Sequence, residues 1–67
     1  MIFAVRNVEK RGTMYIEADS ALEAAMEARK IIVGQNEKVG KIKEGHGFFY
    51  FESNGSLICL GKEGVKL

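Results

Sequence analysis

Asn54-Gly55 is the strongest two-residue hairpin signal a sequence can offer, because a type I′ turn needs positive φ at both central positions and these two residues tolerate it. It separates the run 48–52, Phe-Phe-Tyr-Phe-Glu, from the run 56–61, Ser-Leu-Ile-Cys-Leu-Gly. Both are rich in the aromatic and branched residues that fit a pleated surface. A hairpin here pairs Phe51 with Ile58 and Phe49 with Leu60. A second tight turn at Gly45-His46, its first position wanting positive φ, joins a strand at 39–44 and pairs Ile42 with Phe49. These five apolar residues share one face. Lys41, Lys43, Phe48, Tyr50, Leu57 and Cys59 fall on the other, because strand side chains alternate with period two.

The N-terminal third repeats this chemistry. Segments 2–8 and 13–18 carry β-branched and aromatic residues around the polar stretch Glu9-Lys10-Arg11-Gly12, which reads as a hairpin. A four-residue loop sets Val8 opposite Thr13, Arg6 opposite Tyr15 and Val5 opposite Ile16. Phe3, Val5, Met14, Ile16 and Ala18 then make an apolar face, while Ala4, Arg6, Val8, Thr13, Tyr15 and Glu17 make a mixed one.

Between the two halves, Ser20-Ala21-Leu22-Glu23 has the spacing of a capping box: the serine oxygen accepts from a first-turn amide and the glutamate reaches back to the serine N–H. The alanine-rich run that follows predicts a helix over 21–33, ended by Gly34 in a left-handed conformation. At 100° per residue Leu22, Ala25, Met26, Ile32 and Val33 form the apolar stripe, with Glu23, Glu27 and Lys30 solvated. Arg29 falls near the stripe and Ile31 near the polar side, which reads as fraying after Lys30 and an arginine stem lying over apolar neighbours. The segment 62–67 extends the last strand or frays. The expected fold is α+β, a five-stranded, mainly antiparallel sheet with one helix packed on one face, in the order β-β-α-β-β-β and in a single domain, 1–67.

At 67 residues a chain buries only about 60% of its unfolded surface, which leaves one thin core and no room for a deep cleft. Ten basic against nine acidic residues give a net charge of +1, excluding both an acidic nucleic-acid mimic and a histone-like polycation. One cysteine and one histidine supply neither an internal disulfide nor a tetrahedral zinc site. No apolar run approaches a membrane span and no signal peptide is visible. The expectation is a cytoplasmic protein with no cofactor, no metal and no membrane partner.

Catalytic chemistry is equally thin. His46 lies between turn glycines, Cys59 sits mid-strand without an acidifying neighbour, and Glu23 and Glu27 are spaced like a solvated helix face. No catalytic residue is assigned, and the expected protein is not an enzyme. The informative feature is the sheet face that one helix leaves uncovered, where Arg6, Tyr15, Lys41, Lys43, Phe48 and Tyr50 gather. Aromatic rings edged by cations can stack unpaired bases. They can equally meet a second copy of the chain or a foreign protein, and the near-balanced charge, with Glu17 and Glu52 on the same face, ranks protein contact above nucleic acid.

Gly12-Thr13, Ile16-Glu17-Ala18, Ser20, then Ala24, Ala25 and Ala28 on the helix, Lys41-Ile42 and a glycine turn ending at Gly47, together with the element order, resemble the ninth-numbered type I-F family of small phage-borne anti-CRISPR proteins. The resemblance implies a non-enzymatic inhibitor in the host cytoplasm, binding a protein subunit of a CRISPR-Cas effector complex and blocking target DNA. Its contacts would come from the helix end and the loop after it. Lys30 lines up with a family contact residue, and Arg29, Gln35, Asn36 and Lys38 have suitable chemistry. The residues alone leave a second reading open: a small nucleic-acid-binding or homodimeric regulatory module using the aromatic and basic sheet face.

Overall fold

The Asn54-Gly55 turn forms with φ of 50° and 82°, positive at both central positions as a type I′ hairpin requires. A computed structural model describes residues 1–35 and 38–66. The strands are β1 (Ile2–Asn7), β2 (Thr13–Glu17), β3 (Lys43–Glu44), β4 (Phe48–Ser53) and β5 (Ser56–Gly61), with the helix α1 (Ala21–Val33) between β2 and β3. All pairings are antiparallel, in the order β2-β1-β5-β4-β3. The fold is α+β, one five-stranded sheet with one helix on one face, as expected. The first and last strands lie side by side in its middle, and α1 carries the chain from one edge to the other.

Phe51 pairs with Ile58 and Phe49 with Leu60, the register set by the Asn54-Gly55 turn. Two other registers differ from expectation, each by two residues. In the first hairpin Arg6 pairs with Thr13 and Ala4 with Tyr15. The Asn7 side chain accepts from the amides of Glu9 and Lys10 at 3.1 and 3.2 Å, starting the turn earlier than the apolar Val8 suggested. Val8 instead donates its N–H to Leu57 of β5.

In the second case the loop is His46-Gly47 rather than Gly45-His46. Positive φ falls at Gly47, 85°, the Gly45 N–H donates to the Phe48 carbonyl, and Lys43, not Lys41, pairs with Tyr50. A shift of two preserves which face each side chain occupies, so the expected core face and open face both stand.

The expected strand at 39–44 is interrupted. Val39 bridges Ser53, whereas Lys43 pairs with Tyr50. Four steps on one strand thus match three on the other, which is a bulge of one residue. It lets both Val39 and Ile42 pack against the core despite their odd spacing. After β5 the chain stays beside β1, where Val65 N–H donates to the Ile2 carbonyl at 2.6 Å.

Phe3, Phe51 and Leu60 are the largest fully buried side chains, and the helix meets them with Ala21, Ala24, Ala25 and Ala28. That face is turned roughly a quarter revolution from the stripe expected from periodicity, at 100° per residue. Leu22, Met26 and Val33 are 46, 47 and 44% exposed. Residues without long side chains let the helix approach the sheet closely, and the bulkier ones are displaced to its flanks.

The helix does not fray after Lys30. Its N-cap is Ser20, whose Oγ accepts from the Glu23 amide at 3.2 Å, but the Glu23 carboxylate reaches the Asp19 N–H rather than that of Ser20. Gly34 ends the helix in a right-handed conformation, φ −62°, not the left-handed one expected. Its N–H still bonds to the Lys30 carbonyl at 2.9 Å.

Candidate functional site

Two surfaces compete, and the fold treats them differently. At the helix end, Arg29 is half-buried and its Nε donates to the Gly40 carbonyl at 2.8 Å. Its side chain is therefore committed to holding the bulged segment against the helix, a tertiary role the sequence did not disclose. Lys30 is 70% exposed and 3.5 Å from the Glu27 carboxylate, a pairing that exposed side chains make and break at little cost. Gln35 and Lys38 are exposed. The Lys38 backbone is anchored, because its N–H donates to Asn54 Oδ1 at 2.9 Å and its carbonyl accepts the Asn54 N–H at 2.8 Å. Asn36 lies outside the described residues.

The groove beside Lys30 is mostly acidic, with the Met1 ammonium also on its wall. Lys30 borders this open groove of about 450 Å³, lined also by Glu17, Asp19, Glu23 and Glu27, so its charge is locally offset. On its other side Met26, Arg29 and Lys30 share a groove with Lys41 and Ile42. Lys41 also lines a groove of about 220 Å³ with Lys43, Tyr50 and Glu52. The bulge thus puts Lys41 on the edge where the two candidate surfaces meet, which no strand periodicity could have indicated.

The open face is ordered in rows. Pairing places Thr13, Arg6, Cys59, Tyr50 and Lys43 in one line across all five strands. One row toward the chain termini lie Tyr15, Ala4, Gly61 and Phe48. One row the other way, Leu57 and Glu52 are partners and Val8 bonds to Leu57.

The structure therefore brings Lys43, Tyr50 and Phe48 together, with Arg6 two strands from Tyr50 across Cys59. Tyr15, 54% exposed, stands apart on the far edge strand. The Phe48 and Tyr50 rings are 5.5 Å apart at 41°, a tilted pair within the favourable range. Phe48 lies over Gly45, where an added Cβ would meet the ring at 2.6 Å. The missing side chain is what lets the aromatic lean across the edge strand.

Ala4, Cys59 and Gly61 floor a shallow hollow of about 270 Å³, walled by Arg6, Glu63 and Val65. Sequence reasoning missed it, because its depth comes from two small residues that become neighbours only through the β1–β5 pairing. On the helix side of the sheet, Lys62 pairs with Glu44 and stands 5.1 Å over the Phe49 ring, covering an aromatic that would otherwise be wet.

Among the described residues no group of three or more His, Cys, Asp or Glu side chains is placed to hold a metal ion. No helix there is long and apolar enough to cross a membrane. His46 is exposed in its turn and Cys59 is half-buried at the centre of the open face. Fold and surfaces together define a small α+β domain whose chemistry-bearing residues lie on open faces. Comparison with known proteins finds no family model, no curated protein and no solved structure that matches this chain.

Proposed function

We propose that the chain is a non-enzymatic inhibitor from a phage or mobile element. In this reading it acts in the host cytoplasm by binding a protein subunit of a CRISPR-Cas effector complex and obstructing target DNA. The observation that carries the reading is a β-β-α-β-β-β fold in which the Lys30 and Lys38 side chains stay exposed at and beyond the helix end. That architecture and that surface are the ones the family resemblance calls for.

Charge supports a steric rather than an electrostatic mode. With a net charge of +1, the chain does not imitate nucleic acid. Obstruction would depend on where the helix end sits, with the exposed Lys and Gln side chains donating hydrogen bonds to carboxylates or carbonyls of the partner. Arg29 then serves the site indirectly, by fixing the 38–42 segment through Gly40.

Affinity capture from a host lysate, with mass spectrometry, followed by target-DNA binding by the purified effector, tests this directly. Recovery of an effector subunit, loss of DNA binding when the protein is added, and at least a tenfold weakening in Lys30→Glu with Lys38→Glu are expected. Unimpaired DNA binding at saturating protein would sink the reading.

A further inference from the structure

We infer that the open sheet face is where a second copy of this chain docks, about a two-fold axis running roughly along β5. This goes beyond the proposed inhibition and does not depend on it. The argument is self-complementarity. β5 is the central strand, so an axis along it sets β1 of one copy against β4 of the other within each row. The central row then places Arg6 opposite Tyr50 of the second copy, a cation over a ring face, with the carboxylate of the copy's Glu52 one row away.

In the next row Ala4 meets the second copy's Phe48, small against large. The hollow floored by Ala4, Cys59 and Gly61 has room for that ring, and Phe48 is 39% exposed. On the axis itself Leu57 meets Leu57 and Cys59 meets Cys59. Sheets that pack face to face keep their strands within about 30° of alignment, so these contacts near the axis hold while the outer strands diverge.

An in-plane axis across the strands would instead set Arg6 against Arg6 and Lys43 against Lys43, and like charges reject that register. Single-stranded nucleic acid is the less favoured occupant. Glu17, Glu52 and Glu63 stand on or beside the face against Arg6, Lys41 and Lys43, leaving no charge surplus for a phosphate chain.

The face is small. The molecule's two larger extents are 29 and 23 Å, so two copies bury at most about 1,300 Å² in total, at the low end of stable interfaces. An interface of that size belongs to the weaker class of associations, and the dimer leaves both helices on its outer sides.

Sedimentation equilibrium from 10 μM to 1 mM tests the association, with circular dichroism confirming that each variant folds. The wild-type chain should move from 7.4 kDa toward twice that mass. Arg6→Glu and Tyr50→Lys should each weaken association at least tenfold. Mixed in equal amounts, they should recover it, because only the mixture sets the carboxylate introduced at position 6 against the ammonium introduced at position 50 while keeping one Arg6–Tyr50 contact. At a matched low concentration a short bis-maleimide should link Cys59 to Cys59 in the wild-type chain and do so several-fold less in either variant alone.

A monomer throughout the range, or a dimer indifferent to both variants, would overturn the inference. So would a mixture that fails to recover association. Saturable binding of an oligothymidylate that Tyr50→Ala weakens, with no dimer, would transfer the face to nucleic acid.

Discussion

Asn54 does two jobs that can be separated. Its backbone sits at φ 50°, and its Oδ1 accepts from the Lys38 N–H, tethering the segment that follows the helix to the last hairpin. Asn54→Gly keeps the turn and removes the side-chain acceptor, which should cost about 1 kcal/mol. Asn54→Ala removes the acceptor and also places a Cβ in left-handed backbone, adding roughly 1–2 kcal/mol. Urea denaturation of both variants measures the difference. Equal losses would show that the tether, not the turn conformation, dominates.

The turn half of this role was legible in the sequence because it depends on two adjacent residues. The tether was not, since Lys38 and Asn54 become neighbours only after folding. Arg29 shows the same limit: its place near the apolar side of the helix was readable, while its bond to Gly40 depends on a bulge in a distant strand.

At the scale of the element, α1 shows how close approach overrides side-chain size. Ala24 is 0% exposed and Met26 47% exposed, although methionine is far the more apolar side chain. Enlarging Ala24 to Leu should push the helix off the sheet and cost about 1–3 kcal/mol or more, whereas Met26→Gln should change stability by less than about 1 kcal/mol. Thermal denaturation compares them, and a larger loss for Met26→Gln would mean that the flank, not the alanine face, carries the packing.

The bounds of this helix were readable from Ser20 and the alanine-rich run. Its rotation was not, because a periodicity weighted by hydrophobicity points toward the bulky residues. The strands fared differently. Two registers shifted by two residues, through the Asn7 turn and the Gly47 conformation, yet the pleat kept the paired side chains on their expected faces, and only the bulge moved one, bringing Val39 to the core side with Ile42. That is why the open-face residues Lys43, Phe48 and Tyr50 gather as the sequence suggested, while Tyr15 is stranded on an edge by a strand order that local patterns do not encode.

At the scale of the whole molecule, the sheet order ties the two hairpins into one sheet with a weakly held margin. β1 and β5 occupy the interior of the sheet, joining the N-terminal hairpin to the C-terminal one, and they carry Phe3, Val5, Ile58 and Leu60 of the core. The margin is 38–45. It is held by the two-residue β3, one bridge at Val39, the Arg29–Gly40 bond, the Lys38–Asn54 contacts, the Gly40 and Gly45 N–H bonds to β4 and the exposed Lys62–Glu44 pair. Few buried apolar groups anchor it, so it should open without unfolding the rest.

Native-state hydrogen exchange should find the amides of Val5, Ile58 and Leu60 exchanging only through global unfolding. Those of Gly40 and Gly45, bonded at 2.8 Å to the Glu52 and Phe48 carbonyls, should exchange at least tenfold faster. Equal protection at Gly40 and Ile58 would show that the margin belongs to the cooperative unit. The same segment carries Lys38, Lys41 and Lys43, which contribute to both candidate surfaces. A partner that holds this segment should therefore slow exchange at Gly40 and Gly45 by the same factor as in the central strands, whereas a partner that stays bound when the margin opens should slow only the central strands.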